Sequence, residues 1–233
     1  MNVKIQKFNP ATDAQPYFQT YEVPWKKNMT VLEALMYVYE NHEPITFDYS
    51  CHGGRVCGRC SMMVNGKPAM ACFTPIEKGQ DLTVEPLRGF PIERDLIVDR
   101  TEMQDRISNI EVRVKSKPIE PKDLLKDYDP EVKQTLDDLE WCCRCLSCNA
   151  GCPVLNEMRD PEKYIGPAGM RAIALRYFDP NDEGDRVLEA VQNGLFKCIL
   201  CGQCDRNCPA SEIKHVELFK ILRAEAEKRG LKP

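Results

Sequence analysis

Apolar residues follow two different rhythms along the chain. In the first hundred residues, Val3 and Ile5, and then the run Phe18 to Val23, alternate with polar neighbours in the period-two pattern of a half-buried strand. Pro24 closes that run. Val31, Leu32, Leu35, Met36 and Val38 then recur at helical spacing behind Thr30-x-x-Glu33, a capping box that predicts a helix start. Asn65-Gly66 separates SMMV from KPAMAC. A type I′ turn needs positive φ at both central residues, which Asn-Gly tolerates, so a hairpin is predicted there. Leu82-Thr83-Val84 reads as a closing strand.

Beyond residue 100 the rhythm changes. Glu102 to Pro130 is polar and holds Pro118, Pro121 and Pro130, so it reads as a connector with room for one helix. The periodicity after it is helical. Pro130 to Leu139, Pro167 to Tyr177, Arg186 to Asn193 and Val216 to Arg229 are the predicted helices, with Gly194, Gly202 and Gly230 as stop or turn positions. No strand pattern follows. Lys and Arg side chains on these faces, including Arg171, Arg176 and Arg223, are expected in solvent.

Composition narrows the chemistry. The 233 residues carry a net charge of −4, so no basic field points to nucleic acid. The start MNVKIQKFNPAT shows neither an apolar export core nor a twin arginine, and no apolar run approaches membrane-span length. Thirteen cysteines in such a chain are therefore expected in a reducing compartment, where clustered thiols are metal ligands. No dinucleotide glycine motif or P-loop appears, and His42, His52 and His215 form no catalytic arrangement with their sequence neighbours. His215 is expected to open the last helix, where it packs or caps.

Twelve of the thirteen cysteines fall into three groups. Cys51-x5-Cys57-x2-Cys60-x11-Cys72 resembles the plant-type [2Fe–2S] spacing with one extra residue in the first gap. The glycines of CHGGRVCGRC suit a loop that must turn successive N–H groups toward sulfide. Zinc is the competing reading, but only one CxxC knuckle is present. His52 has no second histidine nearby for a Rieske site and reads as a loop residue shielding the cluster. The other two groups repeat one another: Cys142-x2-Cys145-x2-Cys148-x3-Cys152-Pro153 and Cys198-x2-Cys201-x2-Cys204-x3-Cys208-Pro209. In two-cluster ferredoxins the cysteine before proline ligates the other cluster. The predicted sets are Cys142, Cys145, Cys148 and Cys208 for one [4Fe–4S] cluster, and Cys152, Cys198, Cys201 and Cys204 for a second. Cys143 is left as a small apolar bystander. The fold class expected is α+β: a β-grasp plant-type ferredoxin domain over residues 1–100, then an all-α bacterial-type ferredoxin domain over 101–233.

These motifs, with FPIERDLIVDR, the CRCLSCNAGCP run and YIGPAGM, resemble the iron–sulfur subunit of the succinate dehydrogenase/fumarate reductase family along almost the whole chain. The resemblance implies an electron-transfer role with no substrate-converting site on this chain. It implies a FAD-containing flavoprotein partner acting on a dicarboxylate. It also implies a membrane-anchor or heme-bearing partner, an acceptor that is either a menaquinone-type quinone or a non-quinone partner, and a cytoplasmic position on the inner face of the cell membrane. In that family the last cluster is usually [3Fe–4S], because a cysteine is lacking at the position of Cys201. Here Cys201 restores the set and predicts [4Fe–4S], with [3Fe–4S] as the alternative. The family's tryptophan after Cys152-Pro153 and histidine after Cys198 are absent, the latter position being Ile199. Competing readings are a stand-alone ferredoxin-like carrier, and a subunit of a thiol-linked reductase or glycolate/lactate-type oxidase. Those latter subunits tend to add cysteine-rich domains, and none is seen before Pro233.

Overall fold

The computed structural model describes residues 1–51, 53–112, 115, 120, 129–158 and 164–231. The chain divides into two compact units: Met1–Thr101 with Cys143–Gly151, and Glu102–Cys142 with Cys152–Pro233.

The first unit is a five-stranded mixed sheet in the order β2-β1-β5-β3-β4. Its strands are β1 (Asn2–Lys7), β2 (Tyr17–Glu22), β3 (Ser61–Val64), β4 (Lys67–Met70) and β5 (Leu82–Glu85). β1 pairs antiparallel with β2 and parallel with β5, so Val3 sits beside Leu82 and Ile5 beside Val84. Val3, Ile5 and Val84 are fully buried, as period-two alternation requires. Helix α1 (Val31–Asn41) starts on the expected box: Thr30 Oγ1 accepts from Glu33 N at 3.3 Å, and Thr30 N donates to Glu33 Oε2 at 2.7 Å. Such a cap stabilises the helix by about 1 kcal/mol. The helix lays Val31, Leu32, Ala34, Leu35 and Val38 onto the core. Asn65 (φ 49°) and Gly66 (φ 75°) both take positive φ between β3 and β4, as the hairpin demands. A small unforeseen hairpin, β6 (Ile92–Arg94) with β7 (Ile97–Val98), lies inside FPIERDLIVDR.

Among its described residues the second unit is helical and holds no strand. α2 (Thr101–Val112) begins the connector, and the expected structure around Pro118 and Pro121 lies outside the described residues. α3 (Pro130–Glu140), α6 (Gly166–Phe178), α7 (Arg186–Gln192) and α9 (His215–Lys228) match the periodic segments within a residue or two. The short helices are α4 (Ser147–Ala150) in the first unit and α5 (Pro153–Asn156) and α8 (Gln203–Arg206) in the second. α6 is buried along nearly its whole length because α3, α7 and α9 pack around it. Arg171 is therefore inside, 2% exposed, and the solvent expectation fails for it. A buried fork ties α7 to the preceding loop: Arg186 Nη2 and Nε donate to Asp182 at 2.6 and 3.1 Å. Among the described residues no helix is long and apolar enough to cross a membrane.

The sequence-based boundary near residue 100 assigns Cys143–Gly151 to the helical half. By packing, that segment belongs with the sheet. The reason is apolar: Cys145 joins the sheet's core, and Cys143 packs against it.

Candidate metal centres

The first cysteine group is gathered by the loop before β3 and by the 3₁₀ turn Ala71–Phe73 that follows β4. N–H groups of Val56 and Cys57 point at the Cys51 sulfur and bring its thiol down to about 6. The Cys57 thiol lies within hydrogen-bonding reach of Cys51. Cys72 N donates to Cys60 Sγ at 3.4 Å, returning the fourth thiol to the loop through the hairpin. Burial pushes Cys60 up to about 12, and the neighbouring Cys72 and Cys57 sulfurs add to the rise. The four sulfurs are thus linked in order around one loop. His52 lies outside the described residues.

The segment Cys143–Gly151 lies directly on this loop. Gly58 has φ 66°, and a Cβ there would sit 2.9 Å from both N and Cα of Cys145, so only glycine fits. Ser61 Oγ and Ser147 Oγ share a buried hydrogen bond of 2.8 Å. The Cys143 thiol hydrogen-bonds to the Cys145 sulfur, and with Ser147 it brings Cys145 down to about 6 against the opposing effect of burial. Cys143 is therefore more than a spacer, although it also packs as one, 3.8 Å from Met70 Sδ. Cys145 and Cys148 are buried here. Cys142 and Cys208, half-buried, belong to the second unit.

One cation holds the same region. Arg100, half-buried, donates from Nη1 to Gly58 O at 3.0 Å, and from Nη2 to Arg59 O at 3.2 Å and Ser61 O at 2.9 Å. All three acceptors are carbonyls of the cysteine loop.

In the second unit Cys152, Cys198, Cys201 and Cys204 line a single small cavity, with Tyr164, Val154, Pro167 and Val216 among its other walls. Cys152 and Cys204 are buried, Cys198 is half-buried and Cys201 is exposed. Burial, then the Asp205 carboxylate, pushes Cys204 up to about 12. Leu200 N donates to Cys198 Sγ at 3.4 Å, and Arg206 Nη2 to Cys201 O at 3.0 Å. Arg223, expected in solvent, instead donates to the carbonyls of Leu195 and Cys198. His215 does open α9, and its backbone N–H and Nδ1 both meet Asp205. The Tyr164 hydroxyl is buried and has no hydrogen-bond partner among the described residues. Burial and the adjacent Cys198 and Cys152 sulfurs hold its proton on well above the ordinary range.

The two repeated runs share one backbone. The residue before the second cysteine is left-handed in both, Arg144 at φ 52° and Leu200 at φ 54°. So is the residue after it, Leu146 at 62° and Gly202 at 74°. Each run then enters a four-residue helix at the equivalent position, α4 and α8. Alternating handedness makes consecutive N–H groups converge, the concavity that binds anions and iron–sulfur sulfides. Thiol donors, converging N–H groups, a glycine with no room for a Cβ and an orphan hydroxyl fit iron–sulfur clusters. Sequence reasoning marked the segments FPIERDLIVDR and YIGPAGM but assigned no role to Arg100 or Tyr164, which extend from their ends.

Residues 2–105 match the family model of the 2Fe-2S iron-sulfur cluster binding domain, and residues 138–211 that of the 4Fe-4S dicluster domain. The chain is 34% identical to a fumarate reductase (CoM/CoB) subunit of Methanothermobacter marburgensis, matching all of this chain and 46% of that protein. It is 34% identical to the fumarate reductase iron-sulfur subunit of Haemophilus influenzae over 93% of this chain and 88% of that protein. A chain of the Mycobacterium smegmatis Sdh1 complex in the apo form superposes with a TM-score of 0.86 at 23% identity, over 100% and 97% of the two chains. The chain spans less than half the length of some of the curated relatives it matches.

Proposed function

The chain belongs to the fumarate reductase iron–sulfur subunit family, and on that premise we propose that it is the electron-transfer subunit of a fumarate reductase or succinate dehydrogenase type complex. It relays electrons between a FAD-containing subunit acting on a dicarboxylate and a quinone or membrane-anchor partner. We read the first unit as a β-grasp ferredoxin and the second as an all-helical one. The ligand sets are Cys51, Cys57, Cys60 and Cys72 for [2Fe–2S], and Cys142, Cys145, Cys148 and Cys208 for the first [4Fe–4S]. Cys152, Cys198, Cys201 and Cys204 hold the second [4Fe–4S].

The carrying observation is the left-handed pattern repeated around Cys145 and Cys201. It presents Cys201 as the earlier run presents Cys145, so a full set of four thiols faces the cavity in the second unit. When bound, such clusters accept and give up one electron at a time, which suits a flavin that takes two and releases them singly. The chain's residues supply the surroundings. Val56 and Cys57 N–H groups meet the Cys51 sulfur, and Leu200 N–H meets Cys198. Tyr164 brings a protonated hydroxyl to the second cavity. Exposed Ile199 beside exposed Cys201 marks the edge where an acceptor or anchor docks. Membrane attachment on the inner face then comes through the partner.

A second reading keeps the same wire and changes the donor. The methanogen relative that matches this whole chain is named for CoM and CoB. Thiols oxidised to a disulfide release two electrons, which three clusters would carry singly to fumarate.

The test is isolation of the native complex. A FAD-bearing partner is expected to copurify, and succinate to reduce the clusters as followed by low-temperature EPR. A lone chain of 26.7 kDa whose clusters succinate never reduces would overturn the leading reading, and reduction by a thiol pair instead would favour the second.

A further inference from the structure

The first unit brings two cysteine loops into backbone contact and places one cation at the seam. Gly58, between Cys57 and Cys60, abuts Cys145 so closely that no side chain fits. Ser61 and Ser147 close the seam with a buried hydrogen bond. Arg100 reaches in from just before α2 and directs its hydrogen bonds at three neutral carbonyls, those of Gly58, Arg59 and Ser61. Among the described residues no carboxylate lies within ion-pair distance of Arg100, and the nearby Asp48 is itself paired with Arg59 at 2.7 Å. The guanidinium thus makes no direct ion pair, and the Asp48 carboxylate acts on it only through space.

We propose that Arg100 is a shared electrostatic tuning residue for two redox centres, raising the reduction potential of both the [2Fe–2S] cluster and the first [4Fe–4S] cluster. The inference rests on the cluster assignment above. Its physical basis is that reduction adds a negative charge to a cluster, and a fixed, partly desolvated cation nearby favours the more negative form. Burial draws the Arg100 pKa down, while the Cys145 sulfur, the Asp48 carboxylate and the Cys60 sulfur oppose that, so sulfurs of both loops couple to the same charge. A hydrogen-bonded fork keeps the guanidinium at one place in the seam, where a lysine would offer a single mobile point. A shift common to both centres leaves the difference between their potentials unchanged and moves the pair together relative to their donor and acceptor.

The experiment is an EPR-monitored redox titration of the cluster-loaded full chain. Iron and sulfide analysis with the wild-type EPR comes first: without a [2Fe–2S] signal the cluster assignment fails, not the role of Arg100. With the clusters present, Arg100→Gln is expected to shift both one-electron equilibria about tenfold toward the oxidised form, ~59 mV downward. Arg100→Lys is expected to recover most of that shift. Arg100→Met, which fills the space without burying a polar group, repeats the test should Arg100→Gln not assemble. Unmoved potentials in a neutral variant that only melts earlier would reduce Arg100 to a structural clamp and overturn the proposal. A shift confined to one cluster would overturn the shared role.

Discussion

The two cysteine runs have the same backbone and opposite surroundings. Around Cys145 the run is buried against a sheet, backed by Gly58 and a serine pair, with a cation close by. Around Cys201 it is half open, with a neutral tyrosine on the inner wall and an exposed isoleucine outside. The left-handed residue after the second cysteine shows how each run meets the same requirement. A non-glycine residue there costs about 1–2 kcal/mol. The first run places Leu146 at that position and buries it to 1% exposure, which offsets the strain. The second run has no such core at hand and uses Gly202. The motif is thus a backbone device that tolerates either environment.

The largest test of that contrast compares two glycines. Gly58→Ala forces a Cβ into the Cys145 backbone at positive φ and should cost about 3–5 kcal/mol. Thermal unfolding of the holo chain and loss of the [2Fe–2S] signal would register it. Gly202→Ala also sits at positive φ, but the Cβ's nearest neighbour is Arg206 Nη1 at 3.5 Å. It should cost only about 1 kcal/mol, and equal losses would mean that the seam at Gly58 is not tight. A smaller effect is expected at the second cavity. Tyr164→Phe removes a buried hydroxyl able to donate to a cluster sulfur there, lowering that cluster's potential by on the order of 50 mV. An unchanged potential with raised stability would mean that the hydroxyl donates to nothing. The smallest effect belongs to Cys143, whose counterpart in the second run is Ile199. Cys143→Ser keeps a donor toward Cys145 and should leave iron content unchanged, whereas iron loss would make Cys143 a ligand.

Much of this was legible in the residues. Periodicity and turn chemistry placed the strands, α1 and the four long helices because each is a local pattern: Thr30 with Glu33, Asn65 with Gly66, the stripe on α9. The cysteine spacing named the thiols that line the second cavity. The rest depends on contacts distant in sequence. Nothing in CRCLSCNAG says that it packs on a sheet some 85 residues earlier, and that packing is what brings Arg100 to two loops. Arg171 and Arg223 read as solvated because a cation on a helix usually is. The burial of Arg171 follows from the crowding of α6, and the half-buried place of Arg223 from the Leu195 and Cys198 carbonyls it serves, neither of which a single helix pattern contains.

The central claim is that Cys201 completes a four-thiol site like that of Cys145. Iron determination with low-temperature EPR of the as-isolated, oxidised chain tests it most directly. About ten irons per chain and no three-iron signal are expected, with the signal emerging in Cys201→Ser as about one iron is lost. A three-iron signal already present at full intensity in the oxidised wild-type protein would contradict it.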